Sequence, residues 1–184
     1  MIKKLKNLIE SYKEGKLNTP NIQVIGKKFS DEMISLPDDV FLDLTFSRAF
    51  FEKTHLTKIQ FCNGSFGLSF FKDCCLENCS FSNINFKEMR SFKCTFKDCL
   101  FMDCLLVESE ISETIFNGCR FSKGSLDDSE FQSCQFINTG FRDVTFGFGT
   151  LIDSKFSNSK KSIEFEGEVF FNDIFAQIDQ FHID

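Results

Sequence analysis

The feature that most constrains this chain is a five-residue repeat of large apolar residues. Counting every fifth position from Phe41 to Phe156 gives 24 positions, and 17 of them hold Phe. Leu or Ile fills six more, and Ser91 is the one exception. A period of five fits neither an amphipathic helix, with its period of about 3.6, nor a half-buried strand, with its period of about 2. The repeat therefore predicts short extended segments that are joined by corners and wound into a coil.

Two further columns of residues accompany the large ones. The residue two places earlier is mostly small, so that it shares the inward face of the extended segment. The residue two places later is often Asn or Asp, as at Asn63, Asp73 and Asn78. These side chains bond to local backbone and tolerate unusual dihedral angles, so we expect the corner there.

The exception at Ser91 supports the same register. Its small partner is replaced by Met89, so the pair has exchanged sizes and roughly kept its volume. Cores accept such exchanges best when the volume is conserved. We therefore expect Met89 inside and Phe92 on or near the surface.

The pattern resembles the pentapeptide-repeat family, and the resemblance covers about 120 of the 184 residues. It implies an all-β fold, a right-handed quadrilateral β-helix with four repeats per coil. The 24 repeats would then form six coils, and at about 4.8 Å per coil the shaft would be about 29 Å long.

The two ends of the chain depart from the repeat. Residues 1–36 are expected to form an N-terminal helix, over 1–17, and a strand-like cap, residues 37–158 the β-helix, and residues 159–184 a polar connection and a C-terminal helix. Short capping helices would cover the open coil edges. The C-terminal helix has apolar residues at helical spacing, and it either caps the shaft or joins two copies into a homodimer. These residues are Phe171, Ile174, Phe175, Ile178 and Phe181.

The reactive residue types have a structural interpretation. Seven of the nine Cys occupy the small inward column, where Ala, Ser, Thr and Gly stand in other repeats. Buried Cys behaves as a small hydrophobe, so we expect neither a metal site nor any other cofactor. His55 and His182 are not placed beside a nucleophile with an orienting carboxylate. The chain is therefore expected not to be an enzyme.

Composition limits the location and the partners. No apolar run approaches the roughly 18 residues that a membrane helix needs, and no signal peptide is evident. Nine Cys without a CxxC spacing indicate reduced thiols and a cytoplasmic location. The formal net charge of -6 argues against direct binding of nucleic acid through its phosphates, and it leaves a basic partner open.

Candidate binding residues must lie on the outside of the coil. Stacking of successive coils brings six acidic residues onto two adjacent sides, and four apolar residues form a patch beside them. The acidic residues are Glu108, Glu110, Glu113, Asp127, Asp128 and Glu130. The apolar residues are Leu100, Met102, Leu105 and Val107. Phe50, Phe70 and Phe92 are expected to line up along another side.

The resemblance is to the loopless quinolone-resistance and topoisomerase-protecting members of the family. It implies an acidic rod that mimics DNA, occupies the DNA-binding saddle of DNA gyrase or topoisomerase IV, and protects the enzyme against quinolones or related toxins. The alternative is a scaffold or immunity-type module whose protein partner binds the apolar patch and is unrelated to DNA.

Overall fold

The structure is a computed structural model that describes residues 22–23, 28–30, 33–35, 41–42, 44–157, 161–164 and 170–172. Every regular element in these ranges is a β-strand. The helix expected over residues 1–17 lies outside the described residues, as do Ile174, Phe175, Ile178 and Phe181 of the expected C-terminal helix. In the described part of the chain, no helix is long and apolar enough to cross a membrane.

The strands stack into parallel sheets that form the sides of a solenoid. The first side contains Lys28–Ser30, Phe50–Glu52, Phe70–Lys72, Arg90–Phe92, Glu110–Ser112, Glu130–Gln132, Thr150–Ile152 and Phe170–Asn172. The second contains Met33–Ser35, His55–Thr57, Cys75–Glu77, Thr95–Lys97, Ile115–Asn117, Gln135–Ile137 and Lys155–Ser157. The third contains Phe41–Leu42, Gln60–Cys62, Ser80–Ser82, Leu100–Met102, Arg120–Ser125, Gly140–Thr145 and Lys161–Glu164. A separate pair joins Ile22–Gln23 to Leu44–Thr45.

A fourth side is held by isolated bridges instead of full strands. These bridges connect Thr45, Ser65, Asn85, Leu105 and Ser125 in succession. On this side the backbone turns tightly, because the amide of Ser69 donates to the carbonyl of Phe66, 3.0 Å away. The four sides and about six coils confirm the predicted β-solenoid with parallel sheets.

The coils stack in a constant register, which places equivalent side chains directly above one another. Phe81 is opposite Phe61 and Phe101, for example. The rings stack nearly parallel, with centroids 4.9 Å apart between Phe81 and Phe101 and 4.5 Å apart between Phe101 and Phe121. Each fully buried Phe contributes about 1.5 to 3 kcal/mol of gross burial energy. The stacked rings, with Leu, Ile and Met at the remaining large positions, therefore form the core along the axis.

The register differs from the prediction at both ends of the repeat. Leu42, and not Phe41, lies opposite Phe61, so the strict five-residue phase begins after residue 42. Before that point Phe29 pairs with Phe51 and Ile34 with Leu56, at a wider spacing than in the coils that follow. These lead-in strands pair with the strands Phe50–Glu52 and His55–Thr57 of the first coil.

At the C-terminal end, Phe171 lies opposite Leu151 in the strand Phe170–Asn172. The expectation that Phe171 belongs to a helix is therefore wrong. Its position one coil after Leu151 continues the β register, and sheet pairing prevails over the helical spacing of the apolar residues that follow it.

The corners fall where the sequence places them. Every fifth residue from Arg48 to Asp153 has a positive φ, between 48° and 68°. Asn and Asp suit this left-handed conformation, but Lys, Glu, Leu68 and Phe148 also adopt it. The amide of the corner residue donates to the next coil, as from Lys53 to the carbonyl of Lys72 at 2.9 Å. Closure of the coil imposes the conformation on whichever residue stands there.

The exchange of sizes at residues 89 and 91 is confirmed. Met89 and Ser91 are both buried, whereas Phe92 is only half-buried. The Ser91 hydroxyl lies 3.1 Å from the hydroxyl of Thr114, so its polar group has a partner inside the core. Met89 therefore fills the volume that a Phe fills in other repeats.

Leu68 carries backbone strain that a substitution can relieve. It is 46% exposed and has a φ of 59°. We expect Leu68→Asn to raise the free energy of unfolding by about 0.5 to 1 kcal/mol, because Asn adopts the left-handed conformation at lower cost. Urea unfolding measures this change. The matched control is Leu105→Asn, since Leu105 is 48% exposed but has no positive φ. An equal gain in both variants, or no gain in the first, would contradict the strain at residue 68.

Candidate functional site

The predicted acidic residues lie on the outside of neighbouring coils, but three of them are already paired. Glu108 contacts Lys87 at 2.8 Å, Glu110 contacts Arg90 at 3.0 Å, and Glu113 contacts Lys93 at 3.6 Å. Each base lies one coil before its acid. Such exposed ion pairs contribute little to stability, but they cancel charge. The predicted cluster is therefore less negative than its carboxylates alone suggest.

Five carboxylates line one edge of the solenoid, and two of them, Glu108 and Glu110, belong to the ion pairs described above. Glu88, Glu108 and Asp128 occupy successive corners, and Glu110 and Glu130 lie directly opposite each other on the adjoining strands. We call these five residues the acidic edge. The hydrogen bond and charge of Glu108 raise the pKa of Lys87, and the nearby charges of Glu88 and Asp128 raise it further. With the described residues, Glu88, Asp128 and Glu130 form no ion pair.

Asp127 has a different role from its neighbours. Its carboxylate accepts hydrogen bonds from the Ser125 hydroxyl at 2.6 Å, the Thr145 hydroxyl at 3.1 Å and the amide of Gly147 at 2.7 Å. These bonds connect two coils and satisfy the amide of a buried glycine. Asp127 therefore stabilises the fourth side, because its carboxylate accepts hydrogen bonds from groups of the solenoid itself.

The predicted apolar residues lie on two adjoining sides of one coil, before and after the corner at Asp103. Leu100 and Met102 flank buried Phe101 on the third side, and Leu105 and Val107 flank buried Leu106 on the fourth. Leu100, Met102 and Leu105 are 38%, 39% and 48% exposed, and Val107 is half-buried. We call these four residues the apolar patch. Val107 precedes Glu108 in the chain, so the patch adjoins the acidic edge.

The predicted row of exposed Phe residues is only partly correct. Phe50 and Phe70 lie in one column and pack edge to face, with centroids 5.1 Å apart. Phe92 pairs with Lys72 and so lies in the neighbouring column. All three are half-buried, and the Lys93 ammonium lies 4.7 Å from the centroid of the Phe92 ring. These rings pack against the shaft and do not form one exposed row.

The seven inward Cys residues are buried, as expected. Five of the thiols donate to backbone carbonyls one coil earlier, as from Cys104 to Phe81 at 3.3 Å, and Ser109 donates to Phe86 at 3.1 Å in the same way. The other two, Cys74 and Cys94, donate to carbonyls two residues earlier. Burial raises the pKa of Cys104 and of Cys134 to about 12. The thiols thus replace Ser or Thr hydroxyls in the packing. The described residues contain no group of His, Cys, Asp and Glu that could hold a metal ion.

Several surface residues were missed by sequence reasoning. Leu68 is exposed at the corner one coil before Glu88. Lys87, Arg90 and Lys93 neutralise acids of the next coil. The spacing between each of these bases and its acid is close to one coil, and it is visible in the sequence. Pairing opposite charges at that interval would have found them.

No family model matches the chain, and no curated protein sequence matches it. The solved structures to which it is similar include two pentapeptide-repeat proteins and one quinolone-resistance protein. A trypsin-treated variant of QnrB1, a plasmid-mediated fluoroquinolone resistance protein, is 14% identical over 85% of this chain and 93% of that chain, with a TM-score of 0.38. HetL, involved in heterocyst differentiation regulation in Nostoc sp. strain PCC 7120, is 10% identical over 85% and 92%, with a TM-score of 0.28. Rfr23 from Cyanothece 51142 is 9% identical over 91% and 99%, with a TM-score of 0.29.

The two roles of the surface acids can be separated by mutation. We expect Asp127→Ala to lower the free energy of unfolding by about 1 to 3 kcal/mol, because the buried amide of Gly147 loses its acceptor. Glu130→Ala is the matched control, since Glu130 is exposed and lies opposite another carboxylate. It should change stability by less than about 0.5 kcal/mol. Equal losses in the two variants, measured by urea unfolding, would contradict a structural role for Asp127.

Proposed function

We propose that this chain, a five-residue-repeat β-solenoid similar in fold to pentapeptide-repeat proteins, is a non-enzymatic module that binds another protein. The contact surface is the apolar patch together with the acidic edge beside it. The exposure of Leu100, Met102 and Leu105 carries the proposal. The core beneath them is already complete, so these side chains are not needed to close the fold.

The interior offers little to a catalytic interpretation. The buried thiols donate to carbonyls within the shaft, and burial keeps the pKa of Cys104 and Cys134 high. A thiolate nucleophile requires a lowered pKa and access to substrate. The surface carboxylates face water or a neighbouring base, except that of Asp127, which accepts hydrogen bonds from the solenoid itself. Binding is therefore the function that these side chains support.

Charge indicates the chemistry of the partner. Glu88, Asp128 and Glu130 would face a basic surface, while the apolar patch would cover apolar side chains of the same partner. A complementary pair of surfaces accelerates association and makes it sensitive to salt. Burial of the patch would supply most of the affinity, because exposed charge pairs contribute little.

A second candidate is the DNA-mimic function that the sequence resemblance implies, with a type II topoisomerase as the partner. The observation in its favour is the succession of Glu88, Glu108 and Asp128 at intervals of about 4.8 Å along one edge. Duplex DNA has about one charge per 1.7 Å, so this edge is less dense. Lys87 and Arg90 weaken it further. Protection against quinolones is part of this candidate, as is homodimerisation, and a cytoplasmic location is proposed for both candidates. The dimer would form through Phe171, Ile174, Phe175, Ile178 and Phe181.

Variants of the apolar patch test the first candidate. We expect a protein captured by the immobilised full chain to bind at least about tenfold more weakly to Met102→Ser/Leu105→Ser, because the patch loses apolar contact area. Phe148→Ser is the matched control, since Phe148 is also exposed but lies outside the patch. Biolayer interferometry measures the affinities. Equal affinity for the patch variant and the control would contradict the proposal.

The second candidate is measured in the same series with purified DNA gyrase. Inhibition of supercoiling, or protection from a quinolone, should disappear in Asp128→Lys/Glu130→Lys if the acidic edge mimics DNA. No effect of the unchanged protein at tens of micromolar, or an unchanged effect after charge reversal, would exclude this candidate and leave the first one standing.

A further inference from the structure

Gly140 is a glycine that the backbone does not require. It lies on the third side in the strand Gly140–Thr145, and its φ is not in the left-handed region. A Cβ atom added there would meet no atom of the described residues within 4 Å. Gln60, Ser80, Leu100 and Arg120 occupy the same column in earlier coils, so a side chain is compatible with the fold.

Other glycines in the repeat have evident structural reasons. Gly118 stands at a corner with a φ of 68°. A Cβ at Gly124 would lie 2.6 Å from the carbonyl oxygen of Cys104, and one at Gly149 would lie 2.8 Å from that of Ser129. Gly140 differs because no described residue occupies the space that its side chain would fill. The missing side chain at Gly140 therefore shapes the outer surface and is not required by the backbone or the packing.

This space is a shallow depression of about 550 Å³. Its lining includes Leu100, Arg120, Ser122, Gly140 and Arg142. Strand pairing sets Arg120 opposite Gly140 and Ser122 opposite Arg142, so the two Arg residues stand at diagonally opposite corners of a rectangle. The side of the rectangle between strands is about 4.8 Å and the side along the strand about 6.6 Å, so the Arg Cα atoms are about 8 Å apart. Two long side chains at this spacing can reach one anion above Gly140.

The guanidinium groups have few competing partners. With the described residues Arg120 forms no ion pair, and Arg142 contacts Asp143 at 3.6 Å, where both side chains are more than half exposed. Such an exposed pair is weak and can be replaced. Arg binds carboxylates through two parallel hydrogen bonds, which a single neighbouring acid at this distance does not satisfy.

The depression adjoins the apolar patch through Leu100, which pairs with Arg120. A ligand that fits both has a carboxylate followed by an apolar group, as an acidic and an apolar side chain in a peptide do. We propose that the depression between Arg120 and Arg142 binds an acidic side chain of a protein partner whose apolar neighbour rests on Leu100. This subsite rests on the proposed protein-binding function for its natural ligand, but its binding of a carboxylate can be measured without that partner.

The experiment uses the full chain labelled with ¹⁵N and the blocked dipeptide N-acetyl-Glu-Leu-amide as the probe. We expect saturable shifts of the Arg120 and Arg142 Nε–H signals and of the Gly140 amide, at millimolar peptide. Gly140→Leu should weaken binding by on the order of fivefold or more, because the new side chain fills the depression. Ser80→Leu is the matched control, since it adds the same side chain to the same column three coils earlier.

The remaining measurements show which chemical group of the ligand the depression binds. N-acetyl-Gln-Leu-amide should bind at least about fivefold more weakly, because it lacks the charge that the Arg pair receives. Inorganic phosphate should bind no more tightly than the Glu peptide. Tighter binding of phosphate, equal binding of the Gln peptide, or an unchanged affinity in Gly140→Leu would each overturn the subsite. None of these results bears on the Met102→Ser/Leu105→Ser comparison, so the failure of the subsite and of the binding function remain distinguishable.

Discussion

The structure depends on the match between two distances, the spacing of adjacent strands and the spacing of stacked aromatic rings. Adjacent parallel strands lie about 4.8 Å apart, and aromatic rings in offset stacks prefer centroid distances that include this value. A Phe repeated at the same position of every coil therefore satisfies the backbone ladder and the ring stack at the same time. Phe116 and Phe136 show the match, with centroids 5.0 Å apart and planes 5° apart. Shorter apolar side chains at these positions leave the ladder intact but lose the ring contact.

The other features of the coil follow from that match. Four large residues per coil meet at the axis, which leaves little room for the second inward residue of each repeat. That residue is therefore mostly small, and where it is polar its side chain bonds to a carbonyl one coil away. Cys, Ser and Thr all do this, as Cys119 and Thr139 illustrate with bonds of 3.3 Å and 2.9 Å to Phe96 and Phe116. The corner must turn through left-handed backbone even at Leu68 and Phe148. The interior thereby fixes the fold and leaves the outer residues to determine binding.

The sequence was sufficient to predict the features that follow from the repeat. It was insufficient to predict the contacts that depend on pairing between coils. The five-residue period predicted the inward positions, the corners and the exchange at Met89 and Ser91, because each follows from local spacing. It did not predict that Lys87 would neutralise Glu108, or that Asp127 would be directed to Gly147, because those contacts join different coils. The five-residue period misplaced Phe41, and helical spacing misplaced Phe171, because the pairing of strands sets the register at both positions. Gly140 was missed because a missing side chain has no pattern of its own.

The central claim is that the stacked rings hold the solenoid together and the outward residues do not. Urea unfolding of Phe101→Ala tests it most directly, because Phe101 is buried and stacks on Phe81 and Phe121 on both sides. The account predicts a loss of about 3 to 5 kcal/mol in the free energy of unfolding, against less than about 0.5 kcal/mol for Met102→Ala at the next, exposed position. A loss below about 1 kcal/mol for Phe101→Ala, or equal losses for the two variants, would contradict it.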